Sequence, residues 1–212
     1  MEGDNIYYQQ QRREMLEFIP THAKRLIDIG CGEGRFGEIV KATLPECEVW
    51  GIEPTDAAAA EAKKRCDRLI HSPLDDVDEI PSSFFDVVTM NDVLEHLPYS
   101  EPALRIARRI LKQDGHLILS LPNVGYYLNL RDLIFKNSWE YKEYGVLDRT
   151  HLRFFTQRSA ANLLEANGFR VLRAEGINRG KVKLHYAALF ALFPRLTKPM
   201  QFPQFALVAQ PK

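Results

Sequence analysis

The stretch Leu26-Ile-Asp-Ile-Gly-Cys-Gly-Glu-Gly34 decides the fold. A short apolar run of strand character ends in an acid, then passes into three alternating glycines, and a helical pattern follows. Gly30, Gly32 and Gly34 let the backbone turn sharply and approach a ligand where any Cβ would collide. The helix start behind them presents unpaired N–H groups. A buried strand, a glycine turn and a helix form the opening unit of an α/β sheet.

Outward from this unit, short apolar strands alternate with amphipathic helices, the pattern of a mostly parallel sheet. The predicted strands are Arg25–Ile29, Glu48–Ile52, Arg68–His71, Phe85–Met90, His116–Leu121, Phe169–Ala174 and Phe205–Gln210. Helices are predicted from the glycine loop to about Ala42, from Asp56 to Lys64 and over Glu101–Leu111, the last stopping before Gly115. Tyr126–Phe135 reads as a helix and Lys136–Thr150 as an aromatic, charged loop. A further helix starts with Thr156 as N-cap and ends near Asn167–Gly168. The expected fold is α/β: a Rossmann-like seven-stranded, mostly parallel sheet with helices on both faces and an antiparallel last strand. Residues 1–212 read as a single domain, with insertions at about 123–155 and 179–202.

Composition narrows the classes of function. The chain has 28 Lys and Arg against 28 Asp and Glu, with 45% hydrophobic residues. That balance argues against a nucleic-acid or anionic-membrane partner for the chain as a whole, although a local patch stays open. The odd cysteines Cys31, Cys47 and Cys66 lack paired or metal-type spacing, which suits a reducing compartment. The polar start has no signal-peptide core, and no run of about 18 apolar residues exists to span a bilayer. A cytoplasmic location is expected.

The glycine loop admits two ligand readings and a purely structural one. Gly32-Glu-Gly-Arg-Phe-Gly37 spells the dinucleotide fingerprint, but that pattern should begin where the strand ends, at Gly30. Asp28 followed by the G-x-G-x-G of Gly30–Gly34 resembles instead the first motif of class I S-adenosylmethionine (SAM)-dependent methyltransferases. The resemblance implies that the loop packs on the methionine part of SAM and that Asp28 orients its ammonium group. Glu53, at the end of the second strand, is placed to accept ribose hydroxyls, a device shared with dinucleotide folds.

The fourth strand separates these readings. Phe85-Asp-Val-Val-Thr-Met-Asn-Asp-Val-Leu-Glu-His-Leu97 resembles the motif after strand four in one methyltransferase branch, which holds ubiquinone O-methyltransferases, MetW-type proteins and saccharide-pathway methyltransferases. The helix Pro102–Leu111, Lys112-Gln-Asp-Gly115, Leu119-Ser-Leu-Pro-Asn123 and Leu147–Thr156 continue the resemblance. It implies SAM as cofactor and S-adenosylhomocysteine as product, with Asn91, Leu74 and Asp75 as further cofactor contacts. The family's usual acid after strand three is replaced here by His71-Ser72-Pro73, so the adenine contacts fall to Leu74 and Asp75. Tyr7-Tyr8-x-x-x-Arg12 resembles the segment that folds over the cofactor, with Arg12 assigned to the SAM carboxylate or, equally, to a solvated helix face.

Two chemistries fit the acceptor side. Asp92-x-x-Glu95-His96, if helical, would set three ligands on one face. With His151 they resemble the Mg²⁺ site of ubiquinone and small-RNA 3′-end methyltransferases. Without a metal, His151, or less favourably His96, would serve as general base. Structural roles for both histidines remain open. The acceptor is expected to be a small molecule, with a saccharide class by analogy alone. Two alternatives are a non-catalytic SAM-binding partner of the MetW type and an NAD-dependent sugar-nucleotide enzyme. The loop Trp139–Tyr144 and the apolar helix Leu184–Phe193, within the helical stretch Lys183–Leu196, are expected to wall the acceptor pocket. That helix is read, in order of preference, as buried, as a homodimer contact or as touching a lipid-linked substrate.

Overall fold

A computed structural model describes residues 11–74, 80–180, 182 and 184–212, apart from the side chains of 184, 185, 188 and 189. Its strands are β1 Arg25–Ile29, β2 Glu48–Ile52, β3 Arg68–Ile70, β4 Phe85–Asn91, β5 Leu111–Pro122, β6 Phe169–Ile177 and β7 Gln204–Pro211. They form one sheet in the order β3-β2-β1-β4-β5-β7-β6. β3, β2, β1, β4 and β5 run parallel, while β7 lies antiparallel to both β5 and β6. The expected sheet, with its reversed last strand, is the one observed. Among the described residues, no helix is long and apolar enough to cross a membrane.

Alternation along each strand sends side chains to two separate cores. Leu26, Val87, Ile118 and Ala206 face one side, covered by α1 (Arg35–Thr43) and a 3-10 turn, Arg13–Phe18. Ile27, Val88, Leu117 and Leu207 face the other. There, α3 (Glu101–Ile110) and α5 (Gln157–Ala166) cover the sheet. Helices therefore lie on both faces. α2 (Asp56–Ala62) makes the crossover from β2 to β3.

The strand order reverses between β1 and β4, which opens a crevice at their carboxyl ends. Strand parity also matters there. Asp28 pairs with Thr89 and Asn91 with Ser120, and these positions fall on the face shared with Leu26, Val87 and Ile118. A polar row thus replaces the apolar one near the crevice.

Three local features differ from the sequence reading. The helix ends at Ile110 and strand character begins at once, because Leu111 pairs with Phe85 before Lys112–Gly115 bulge out. The apolar stretch near residue 190 is broken: α6 (Leu184–Leu192) stops before Pro194, and α7 (Pro194–Thr197) restarts the helix. Proline lacks the N–H and clashes with the preceding turn. Asp92, Glu95 and His96 do not share a helical face. Asp92 has φ 53°, and only Leu94–His96 form a 3-10 turn. The predicted N-cap holds, since the Thr156 hydroxyl accepts from the Ser159 N–H at 3.2 Å. α4 (Tyr127–Lys136) follows β5 as expected.

Gly51 in β2 shows how tightly the first crossover packs. A Cβ there would sit 2.7 Å from Cys31 Sγ and 3.2 Å from both Cys66 Sγ and a Leu69 methyl. We predict that Gly51→Ala lowers unfolding stability by roughly 1–3 kcal/mol through overpacking, read by urea denaturation. Unchanged stability would contradict this packing.

Candidate functional site

The glycine loop starts the site. Gly30, Gly32 and Gly34 have φ of 71°, 55° and 75°, a left-handed backbone that side chains rarely adopt. A Cβ on Gly30 would also meet Val93 at 2.8 Å. The loop is pinned to β2: the N–H groups of Gly30 and Cys31 donate to the Ile52 carbonyl at 2.9 and 3.1 Å. Gly32 N–H donates to Glu53 Oε2 at 2.9 Å, and Thr55 N–H donates to Glu53 Oε1 at 3.0 Å.

Beside the loop lies a cavity of about 220 Å³, bordered among others by Arg12, Asp28, Glu53, Asn91, Asp92 and His96. Asp28 is buried and accepts from the Thr89 hydroxyl at 2.6 Å. Burial pushes its carboxyl up to about 7. The Thr89 hydrogen bond partly opposes this, Glu53 adds to it, and Arg12 counters it. Both polar atoms of the Asn91 amide are buried without a hydrogen-bond partner among the described residues. An unsatisfied buried amide is costly, and a polar ligand in the cavity would relieve it.

The structure therefore gathers Arg12, Asp28, Gly30, Gly32, Glu53 and Asn91 at one cavity, while Gly34 caps α1 behind it. Leu74 packs against the core on the other face and does not line the cavity. Asp75, Tyr7 and Tyr8 lie outside the described residues. Arg12 is buried and engaged: its guanidinium donates to Asp92 Oδ2 and to the Ser120 hydroxyl, each at 2.6 Å. Gln204 Nε2 reaches both Asp92 oxygens at 3.1 and 3.2 Å. Thr89, Ser120 and Gln204 were not singled out in the sequence. The detectable signal was parity, because Thr89 and Ser120 are polar positions within otherwise apolar strands.

A second cavity adjoins the first across Asp92. It is bordered by Glu95, Tyr126, Asn129, Tyr144, His151 and Gln204, among others. Trp139 does not border it and instead sets its ring edge-on to Phe154 at 5.4 Å. His96 lines the first cavity and His151 the second, with their rings in edge contact at 4.9 Å. His151 Nδ1 lies 3.1 Å from the Val146 carbonyl, and His96 Nδ1 lies 3.3 Å from that of Thr150. A carbonyl can only accept, so each Nδ1 carries the proton and Nε2 becomes the acceptor side. Burial, and then the neighbouring His151, hold the His96 pKa below its ordinary value.

Glu95 is 1% exposed, and neither of its side-chain oxygens has a hydrogen-bond partner among the described residues. Burial, and then the Asp92 charge, raise its carboxyl well above the usual range. Donor atoms of Glu95, His96 and His151 lie within 4.8 Å of one another.

An acid with a raised folded-state pKa binds more protons folded than unfolded, so its stability contribution is full near pH 4 and is lost as pH rises. We predict that Glu95→Gln, neutral throughout, melts above the parent protein at pH 8, with the gap closing towards about pH 4. A pH-independent difference between the two would contradict the raised value.

Comparison with known proteins agrees with this geometry. Residues 6–174 match the family described as "Methyltransferase domain". A trans-aconitate 2-methyltransferase of Methylobacterium radiotolerans is 32% identical over 111 residues, covering 52% of this chain and 43% of that protein. A ubiquinone biosynthesis O-methyltransferase of Vibrio atlanticus is 30% identical over 104 residues, covering 47% and 44%. The matched part spans less than half the length of each of these relatives. A crystallised SAM-dependent methyltransferase from Archaeoglobus fulgidus superposes with TM-score 0.71 at 18% identity, covering 97% of this chain and 93% of that one. The NAD reading of the glycine loop gives way: the chain belongs to the methyltransferase-domain family, and its fold is that of the SAM-dependent methyltransferases.

Proposed function

We propose that the chain binds SAM at the glycine loop and transfers its methyl group to a hydroxyl of a small-molecule acceptor, with a saccharide as the favoured class. The observation that carries this is the shared wall between two cavities. Asp92 borders both, and the imidazoles of His96 and His151 meet across it. A donor held in one cavity and an acceptor in the other would be brought together at that wall.

The residues present fit the cofactor. Glu53 keeps acceptor capacity on both oxygens after taking one N–H each, so two ribose hydroxyls can donate to it. Asp28 suits an ammonium group, and the unpaired Asn91 amide offers a donor and an acceptor. Arg12 borders the cavity while its two terminal nitrogens hold Asp92 and Ser120, and its remaining N–H groups are the donors a carboxylate would meet. When bound, SAM supplies an electrophilic methyl group on a sulfonium, which alignment alone activates strongly. An alkyl hydroxyl also needs a base. His151, with its Nδ1 proton held by the Val146 carbonyl, directs Nε2 to take the hydroxyl proton, and His96 is the neighbouring candidate. Tyr126, Tyr144 and Asn129 beside it suit the mixed apolar and hydroxyl faces of a sugar.

Mg²⁺ fits less well than the sequence suggested. Asp92 is paired with Arg12, and the gathered donors are one carboxylate and two imidazoles. Mg²⁺ takes oxygen ligands, whereas nitrogen-rich sets suit transition ions.

Two measurements test the reading. An ammonium ligand prefers ionised Asp28, whose carboxyl titrates near 7, so SAM affinity should fall as pH drops from about 7.5 to about 5.5. In Asp28→Asn the affinity should be weaker and flat over that range, and a parent protein with flat affinity would refute the role. His151→Gln should lower kcat roughly 10²- to 10⁴-fold while the Kd for SAM holds. Full turnover in that variant would remove His151 as base. Formation of S-adenosylhomocysteine with any acceptor separates the enzyme from a non-catalytic MetW-type partner.

A further inference from the structure

Charge is distributed unevenly along this chain. Six of its 28 basic residues and none of its 28 acidic ones lie after Glu175. Arg179, Lys181, Lys183, Arg195 and Lys198 fall within twenty residues that also contain the apolar helix α6. A whole-chain count of zero conceals this asymmetry.

The apolar residues at the end of that helix are not all in the core. Phe190 is buried, with its ring 5.4 Å from that of Tyr127. One turn on, Leu192 is 73% exposed, Phe193 57% and Leu196 72%. Exposing such side chains forgoes the gain that burial of apolar surface would bring. Folding back is blocked. Thr197 Oγ1 donates to the carbonyls of Phe190 and Phe193 at 3.2 and 2.8 Å, which fixes the turn between α6 and α7. Asn123 Nδ2, at the end of β5, donates to the Pro199 and Phe202 carbonyls at 2.8 and 2.9 Å. The tip is a fixed apolar projection, with Arg195 and Lys198 exposed around it.

We propose that this tip, Leu192-Phe193-Pro194-Arg195-Leu196, docks into the interface of an anionic bilayer, with its leucines and phenylalanine among the acyl chains and its cations on the headgroups. An apolar wedge flanked by the exposed Arg195 and Lys198, with Glu175 as the acid facing Lys198, presents the chemistry such a surface selects. A second copy of this chain is a poorer occupant, because a two-fold contact would set the same cationic patch against itself. The tip is tied through Asn123 and Tyr127 to the segment from which Pro122 and Tyr126 border the second cavity. Docking would therefore hold that cavity near the membrane and favour an amphiphilic acceptor. This last consequence rests on the reading of the cavity as the acceptor site.

The test is co-sedimentation of the full chain with vesicles of phosphatidylcholine alone and of phosphatidylcholine with phosphatidylglycerol. The expected result is binding to the anionic vesicles only, weakened about tenfold or more in Leu192→Asp/Leu196→Asp and in Arg195→Glu/Lys198→Glu. Circular dichroism and SAM titration calorimetry on the same preparations should match the parent protein, showing that the variants fold. Absence of binding to either vesicle, or binding that neither double variant weakens, overturns the proposal. So does a parent dimer in sedimentation velocity that Leu192→Asp/Leu196→Asp dissociates. Loss of SAM binding with vesicle binding intact refutes the cofactor reading and leaves this one standing.

Discussion

The hydrogen bonds from Gly32 N–H and Thr55 N–H to the buried Glu53 carboxylate hold the rest of the site in place. They clamp a backbone that turns left-handed at three alternate glycines onto the end of the neighbouring strand. The clamp leaves no room for error, because a Cβ at Gly30 would strike Val93 and one at Gly51 would strike Cys31. Since the loop sits where the strand order reverses, its hollow opens beside the end of β4 rather than into the core.

From that clamp the polar groups divide into two sets. Asp28 and Thr89 lie below the loop, while Arg12, Asp92, Ser120 and Gln204 form a part-buried network between the two cavities. Burying Arg12 and Asp92 as a close pair limits the cost of desolvating each. Among the described residues, Asp28 and Glu95 have no cationic hydrogen-bond partner, and burial displaces the pKa of both carboxyls upward. Displaced groups that face a cleft are where binding and proton transfer are commonly built. Here they flank the imidazoles of His96 and His151.

Much of this was legible in the sequence. β1 and β2 lie where their short apolar runs placed them, and the Thr156 cap was readable because a hydroxyl before a helix has one dominant local use. The reversed last strand followed from the longer excursion before it. The clasp between Arg12 and Asp92 was not legible, since it joins residues 80 positions apart through a left-handed turn at Asp92 that no propensity signals. For the same reason the helical face imagined for Asp92, Glu95 and His96 did not form. The bulge at Lys112–Gly115 escaped because its cause is pairing of Leu111 with Phe85, a tertiary fact.

The most direct test of the account is a crystal structure with S-adenosylhomocysteine, which carries the same amino-acid and ribose groups as the donor. The account predicts the ligand's ammonium group about 3 Å from Asp28 or one water away, and its ribose hydroxyls about 3 Å from the Glu53 oxygens. A ligand seated elsewhere, or one that leaves Asp28 and Glu53 untouched, would contradict it.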